Sequence, residues 1–272
     1  MLVDAHDDTL PAPLTGLAGL LGLPTFLEAR VSLEWLSLLN DAVWHRGEIL
    51  DADSRPVLLV PGFMATEASM APMRRWLRQL GFNAEIAAVG LNASPSAQVA
   101  QVVLDSVRGM AAEAGERVVV IGHSRGGQHG TVAAVRAPEA VEAVVTLGSP
   151  LRAASARHLL VRLPVQVLTT IGELVATASQ EAEEAAYEQD LLGPFPAEVR
   201  RVSVWSKSDG IVDWRLSVVR GARNVQVVGS HIGLSGNPQV YRALVSVLER
   251  PSRRAERRTA LASQPTGKGD SR

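Results

Sequence analysis

The chain has 272 residues, no cysteine, a formal net charge of −1, and 46% hydrophobic against 20% charged residues. That length suits one large α/β domain with a sizeable buried core, and the apolar share excludes wholesale disorder. The lack of cysteine excludes a disulfide scaffold, a thiolate zinc site, an iron–sulfur cluster and a cysteine nucleophile, and the near-balanced charge offers nucleic acid no general attraction.

Asp4, Asp7 and Asp8 stand where a secretory signal would carry Lys or Arg, and apolar residues 14–27 are interrupted by Gly16, Gly19, Gly22 and Pro24. A membrane span needs roughly 20 continuous apolar residues. The segment therefore reads as neither a span nor an ordinary signal peptide, and a cytoplasmic location is the expectation. Thr25 and Glu28 form a capping-box pair, after which residues 26–45 read as one apolar-faced helix. Residues 1–50 are thus a helical N-terminal segment, packed on the main domain or, as a second reading, anchored at a lipid surface.

The main domain runs over residues 51–250. Pro56 precedes the continuous apolar run of residues 57–60, which suits a strand covered on both faces. Residues 67–80 read as a helix stopped by Gly81, residues 82–89 as a strand, and residues 97–114 as a helix closed by Gly115. A second all-apolar strand covers residues 117–121, followed by a small-residue helix over 126–137 and a strand over 143–147. Strands return at 199–205 and 225–228, and residues 238–248 make the final helix. Alternating strands and helices predict a mostly parallel sheet with helices on both faces.

Residues 149–198 break this rhythm, with helix-like patterning and no strand. They read as a helical cap inserted over one end of the sheet. Their apolar residues Leu159, Leu160, Val161, Val165, Val167, Leu168, Ile171, Leu174 and Val175 are candidates to line an acyl pocket. Residues 251–272 carry Arg253, Arg254, Arg257 and Arg258 and read as a disordered basic tail. A weak contact with an anionic membrane surface is its second reading.

Gly122-His123-Ser124-Arg125-Gly126-Gly127 joins the strand ending at Ile121 to the small-residue helix. A serine on so sharp a strand-to-helix turn needs minimal neighbours two residues before and after it, and Gly122 and Gly126 supply them. The hydroxyl then stands above the sheet, beside a helix N-terminus whose N–H groups face an oxyanion. Ser124 is the candidate nucleophile. With this elbow, and with Pro56-Val57-Leu58-Leu59-Val60-Pro61-Gly62-Phe63 as a first central strand and oxyanion turn, the chain resembles the bacterial lipase and esterase branch of the α/β-hydrolases. Pro61-Gly62 stands where many members have His-Gly. The resemblance spans about residues 56–248 and implies backbone oxyanion donors at Phe63, with Met64 as the alternative, and at Arg125.

In that fold the chain order is nucleophile, then acid, then base. The histidines are His6, His45, His123, His129, His158 and His231, of which only His231 follows the last predicted strand. It is the candidate base, while His123 reads as packing beside the elbow. Asp209 comes first after the strand ending near Trp205, and Gly210 permits a tight turn there. Asp209 is the preferred acid, with Asp213 or an acid of the insertion as alternatives. The resemblance implies a serine hydrolase that cleaves lipid-like carboxylic esters and needs neither cofactor nor metal. Its partner would be a small-molecule acyl ester. An acyltransferase of the same fold and a catalytically silent binding protein are the competing readings, and no feature of the sequence indicates an oligomeric state.

Overall fold

The computed structural model describes residues 30–45, 52–152 and 178–249. Six strands form one sheet: β1 (Pro56–Val60), β2 (Asn83–Ile86), β3 (Val118–His123), β4 (Val141–Leu147), β5 (Arg200–Ser206) and β6 (Arg223–Val227). Their order is β2-β1-β3-β4-β5-β6, and every neighbouring pair is parallel. The helices are α1 (Val31–Leu39), α2 (Ala71–Gln79), α3 (Ser96–Ala114), α4 (Arg125–Arg136), α5 (Ala178–Leu192) and α6 (Pro238–Leu248), with a single helical turn at Ala42–His45.

The alternation of side chains along each strand sorts the core into two layers. Val57, Leu59, Val119, Ile121, Val145, Leu147 and Val204 face one way, onto Leu38 of α1, Trp76 and Leu77 of α2, and Tyr241 and Leu244 of α6. Leu58, Val60, Val118, Val120 and Val144 face the other way, onto Val103, Leu104 and Val107 of α3 and Ala133 and Ala134 of α4. The indole of Trp76 meets the ring of Tyr241 edge-on at 4.7 Å and donates Nε1–H to the Val43 carbonyl at 2.9 Å. Apolar burial on both faces explains why the central strands read as unbroken hydrophobic runs.

The helix expected over residues 26–45 is interrupted. α1 ends at Leu39, and Asp41 starts a new turn by accepting the Val43 N–H on its carboxylate at 2.9 Å. Asn40 donates its side-chain amide to the Leu36 carbonyl at 2.9 Å. Adjacent Asn and Asp favour caps over helix interiors, and here they end one helix and begin the next. Thr25 and Glu28 lie outside the described residues.

In the inserted segment the described helix is α5. It packs beside α3 and α4, burying Tyr187 and Leu191 against Ala97, Ala100, Val132 and Leu151. Asp190 accepts from Arg136 Nε at 2.7 Å, and Glu184 accepts the Ala97 N–H at the start of α3 at 2.6 Å. Residues 159–175, expected to line a pocket, lie outside the described residues, as do His158 and the Arg-rich tail. Among the described residues no helix is long and apolar enough to cross a membrane. Because β1 pairs with β2 on one side and β3 on the other, the crossovers change direction there, which opens a crevice at the strands' C-terminal ends.

Candidate active site

β3 delivers Ser124 into that crevice. Ser124 has φ +52° and ψ −122°, a conformation costly for any residue with a Cβ and one that concentrates at functional sites. The turn is held by the Ser124 N–H, which donates to the Leu147 carbonyl of β4 at 2.8 Å. A Cβ at Gly122 would strike the backbone of Gly126 and Gly127, and one at Gly126 would strike the carbonyls of Val60 and Pro61. Both glycines are therefore required by close backbone approach. Ser124 is partly exposed between buried neighbours.

The ends of β5 and β6 bring Asp209 and His231 together. Asp209 Oδ2 accepts from His231 Nδ1 at 2.7 Å, while Oδ1 accepts the N–H groups of Ile211 at 2.9 Å and Val212 at 2.8 Å. Both side chains are buried. A carboxylate that only accepts places the imidazole proton on Nδ1, which makes Nε2 the basic nitrogen. Gly148, with φ +61°, lies against the pair; a Cβ there would stand 3.1 Å from both Asp209 Oδ2 and His231 Nδ1. Asp213, the alternative acid, is turned elsewhere: its carboxylate caps the turn Trp214–Leu216 by accepting the Arg215 N–H at 3.0 Å.

His123 does more than pack. Its Nε2–H donates to the backbone carbonyl of His231 at 2.9 Å, with ring centroids 5.0 Å apart. Burial, reinforced by the neighbouring His231, pulls its pKa down to about 4, so it stays a neutral donor at ordinary pH. Nothing in its position beside Ser124 discloses a bond to a loop 108 residues away. Glu34 is a second residue that sequence reasoning passed over. It accepts the Ser230 N–H at 2.8 Å, next to His231.

The turn after β1 lies against the elbow, since a Cβ at Gly62 would come within 2.9 Å of His123 Nδ1 and 3.3 Å of Ser124 Cβ. Phe63 is half-buried under the Arg125 guanidinium at 5.7 Å, and Met64 takes φ +56° at the exposed tip. The Arg125 side chain is buried and tied to the loop before α3. It donates to the carbonyls of Asn92 and Ser94, both at 2.7 Å, and to Ser96 Oγ at 3.0 Å. What Arg125 can offer a substrate is therefore its backbone N–H at the first position of α4. Below it, His129 donates Nε2–H to Asn92 Oδ1 at 3.1 Å and accepts the Tyr187 hydroxyl on Nδ1 at 3.2 Å. Burial holds His129 well below the usual histidine range and Tyr187 above the usual phenol range. Among the described residues there is no cluster of three His, Cys, Asp or Glu able to hold a metal. A hydroxyl on a strained turn and an imidazole oriented by a carboxylate are the components of nucleophilic acyl transfer.

The sequence profile for the alpha/beta hydrolase fold matches residues 97–217, a span that contains Ser124 and Asp209 and stops before His231. Among solved structures, the mature form of a Bacillus licheniformis lipase aligns with a TM-score of 0.54 at 14% identity, covering 74% of this chain and 94% of that one. An alpha/beta hydrolase enzyme from the metagenome of Moroccan lagoon sediments aligns with a TM-score of 0.51 at 17% identity, covering 71% and 90%. Aspergillus fumigatus lipase B aligns with a TM-score of 0.50 at 16% identity, covering 75% of this chain and 55% of that one. No curated protein matches the chain in sequence. At such identities the likeness is one of fold, and together with the parallel six-stranded sheet it shows that the chain has the α/β-hydrolase fold.

Proposed function

We propose that the chain is a serine hydrolase of carboxylic esters, acting on lipid-like acyl esters through Ser124, His231 and Asp209. The observation that carries this reading is the 2.7 Å bond from His231 Nδ1 to Asp209 Oδ2, on the loops after β6 and β5, with the His231 carbonyl accepting from His123, the residue before Ser124. His231 takes the Ser124 proton through Nε2 as the hydroxyl oxygen attacks the acyl carbonyl, and Asp209 stabilises the imidazolium that forms. The backbone N–H groups of Phe63 and Arg125 receive the tetrahedral oxyanion, each donor contributing about 3–4 kcal/mol in comparable sites. The intermediate collapses as His231 returns the proton to the leaving alcohol. Water, deprotonated by the same imidazole, then releases the acid from acyl-Ser124.

Two observations support an apolar acyl group. Met64, beside Phe63, is 52% exposed and Ile232, beside His231, is 49% exposed, so apolar surface adjoins both the proposed donor and the proposed base. The Bacillus licheniformis and Aspergillus fumigatus structures of the same fold are lipases. The test is hydrolysis of p-nitrophenyl esters of increasing chain length. Medium chains should exceed acetate in kcat/KM, because each buried CH₂ contributes up to about 0.8 kcal/mol. A preference for acetate would remove lipid-like esters from the proposal, and no turnover of any ester would remove the hydrolase. Acyl transfer to an added alcohol in preference to water would reassign the chain as an acyltransferase.

A further inference from the structure

We infer that Glu34, on the helix that precedes the sheet, is a positioning residue that holds the turn bearing His231. This inference rests on the functional reading of His231 above. Glu34 is 8% exposed and aims its carboxylate into the loop after β6. Oε1 accepts the Ser230 N–H at 2.8 Å and Oε2 accepts the Ser230 hydroxyl at 2.6 Å. The Ser230 oxygen in turn accepts the Gly233 N–H at 3.1 Å. The residues on either side of the base, 230 and 233, are thus tied to one carboxylate 196 positions earlier in the chain. Gly233 itself is required by the approach, because a Cβ there would collide with Glu34 Oε2. The neighbouring Trp35 closes over Gly236 in the same manner.

The alternative, that Glu34 fastens α1 to the domain, conflicts with how α1 is attached. Leu38 of α1 is fully buried in the main core, with Trp35 packed at its edge. Apolar contact therefore already docks the helix, and a carboxylate removed from water adds a desolvation cost that its hydrogen bonds must offset. What the carboxylate uniquely does is satisfy the fully buried Ser230, whose N–H and hydroxyl have it as partner. Arg30 Nε, 3.4 Å from Oε1 and on the exposed side, offsets part of the buried charge. His123 donates to the His231 carbonyl and Asp209 takes its ring N–H, so Glu34, through Ser230, adds a third hold on the segment around the proposed base. A shift of about 1 Å in a catalytic group costs on the order of 100-fold in rate.

The test compares Glu34→Ala, Glu34→Gln and Ser230→Ala with the wild-type protein. Three readouts are taken: the thermal melt, kcat and KM on p-nitrophenyl butyrate, and the far-downfield proton resonance of His231 Nδ1–H in its bond to Asp209. Glu34→Ala should stay folded, lose about 10- to 100-fold in kcat with KM nearly unchanged, and broaden or lose the resonance. Glu34→Gln, whose amide oxygen still accepts the Ser230 N–H, should recover most of the kcat. Ser230→Ala, which keeps the Ser230 N–H bond to Glu34 but loses the hydroxyl's bonds to Glu34 and Gly233, should fall between. A folded Glu34→Ala with wild-type kcat and an unchanged resonance would overturn the inference. If Glu34→Ala does not fold, Ser230→Ala decides by the same readouts. A wild-type protein inert towards esters would instead overturn the proposed function, and the resonance, which needs no substrate, separates that failure from this one.

Discussion

Two buried polar clusters flank the elbow, and they are wired in opposite senses. Towards β5 and β6, the carboxylates of Glu34 and Asp209 accept from Ser230 and His231, adjacent residues of one turn. Towards β2 and α3, the Arg125 guanidinium donates to the carbonyls of Asn92 and Ser94, and His129 and Tyr187 close the cluster on themselves. Each contains a histidine that burial keeps neutral, His123 with a pKa of about 4 and His129 also displaced far downward. The difference teaches that buried polarity does two jobs in one crevice. The first cluster holds the imidazole of His231, and the second holds a loop.

The comparison breaks first at Ser124. Ser124→Ala should lower ester turnover by roughly 10⁴-fold or more while the melt barely moves, because only a hydroxyl on an already strained turn is lost. Ser124→Gly should be equally inactive yet melt a few degrees above Ser124→Ala, since glycine takes φ +52° without the 1–3 kcal/mol penalty of about that order paid by other residues. Comparable melts for the two variants would show that the elbow stores no strain.

Asp209→Asn should come next, with kcat down roughly 10⁴-fold as the tautomer of His231 is lost. Asp213→Asn should change kcat less than about twofold, because Asp213 only caps an exposed turn and surface polar changes have small effects. A reversed ranking would move the acid to Asp213.

His123 gives a smaller effect with a defined sign. Its pKa falls from an ordinary 6.5 to about 4 in the folded chain, so the unfolded chain takes up the proton first on acidification. The stability it contributes is complete above about pH 6.5 and is lost as the pH falls towards 4, amounting to about 2 kcal/mol by pH 5. His129 acts in the same direction. His123→Gln keeps an N–H near the position of Nε2 but does not titrate. Its melting temperature should fall less between pH 7 and pH 5 than the wild-type value does, with kcat reduced by less than about tenfold.

The smallest effect belongs to the loop-holding cluster. Tyr187→Phe removes the hydroxyl that donates to His129 and leaves a buried acceptor unpaired, at a cost of about 1–3 kcal/mol. The melt should drop by several degrees while kcat stays within about twofold. A large loss of kcat with an unchanged melt would erase the division of labour between the two clusters.

The fold was legible because local signals and burial agree. Residues 57–60 and 118–121 are apolar throughout since helices cover both faces of the sheet, and α6 begins at Pro238 as expected, behind an Asn237 side chain that accepts the Gln239 N–H. Asp209 and His231 could be paired from chain order, since each follows the end of a strand and β5 adjoins β6. Glu34 could not be found that way, because its bond to Ser230 spans 196 positions and it sits in an apolar helix among residues that suggest only packing. His123 was legible as buried but not as a donor, for its partner is a backbone carbonyl and carries no side-chain signature. The break after Leu39 was written in Asn40 and Asp41, whose capping tendency outweighs the apolar period on either side.

The most direct test of the central claim is covalent capture of Ser124 by a fluorophosphonate, read by intact mass and peptide mapping. The account predicts one adduct per chain, on the peptide containing Ser124, absent in Ser124→Ala and formed far more slowly in Asp209→Asn. An unmodified wild-type protein, or an adduct on any other serine, would contradict it.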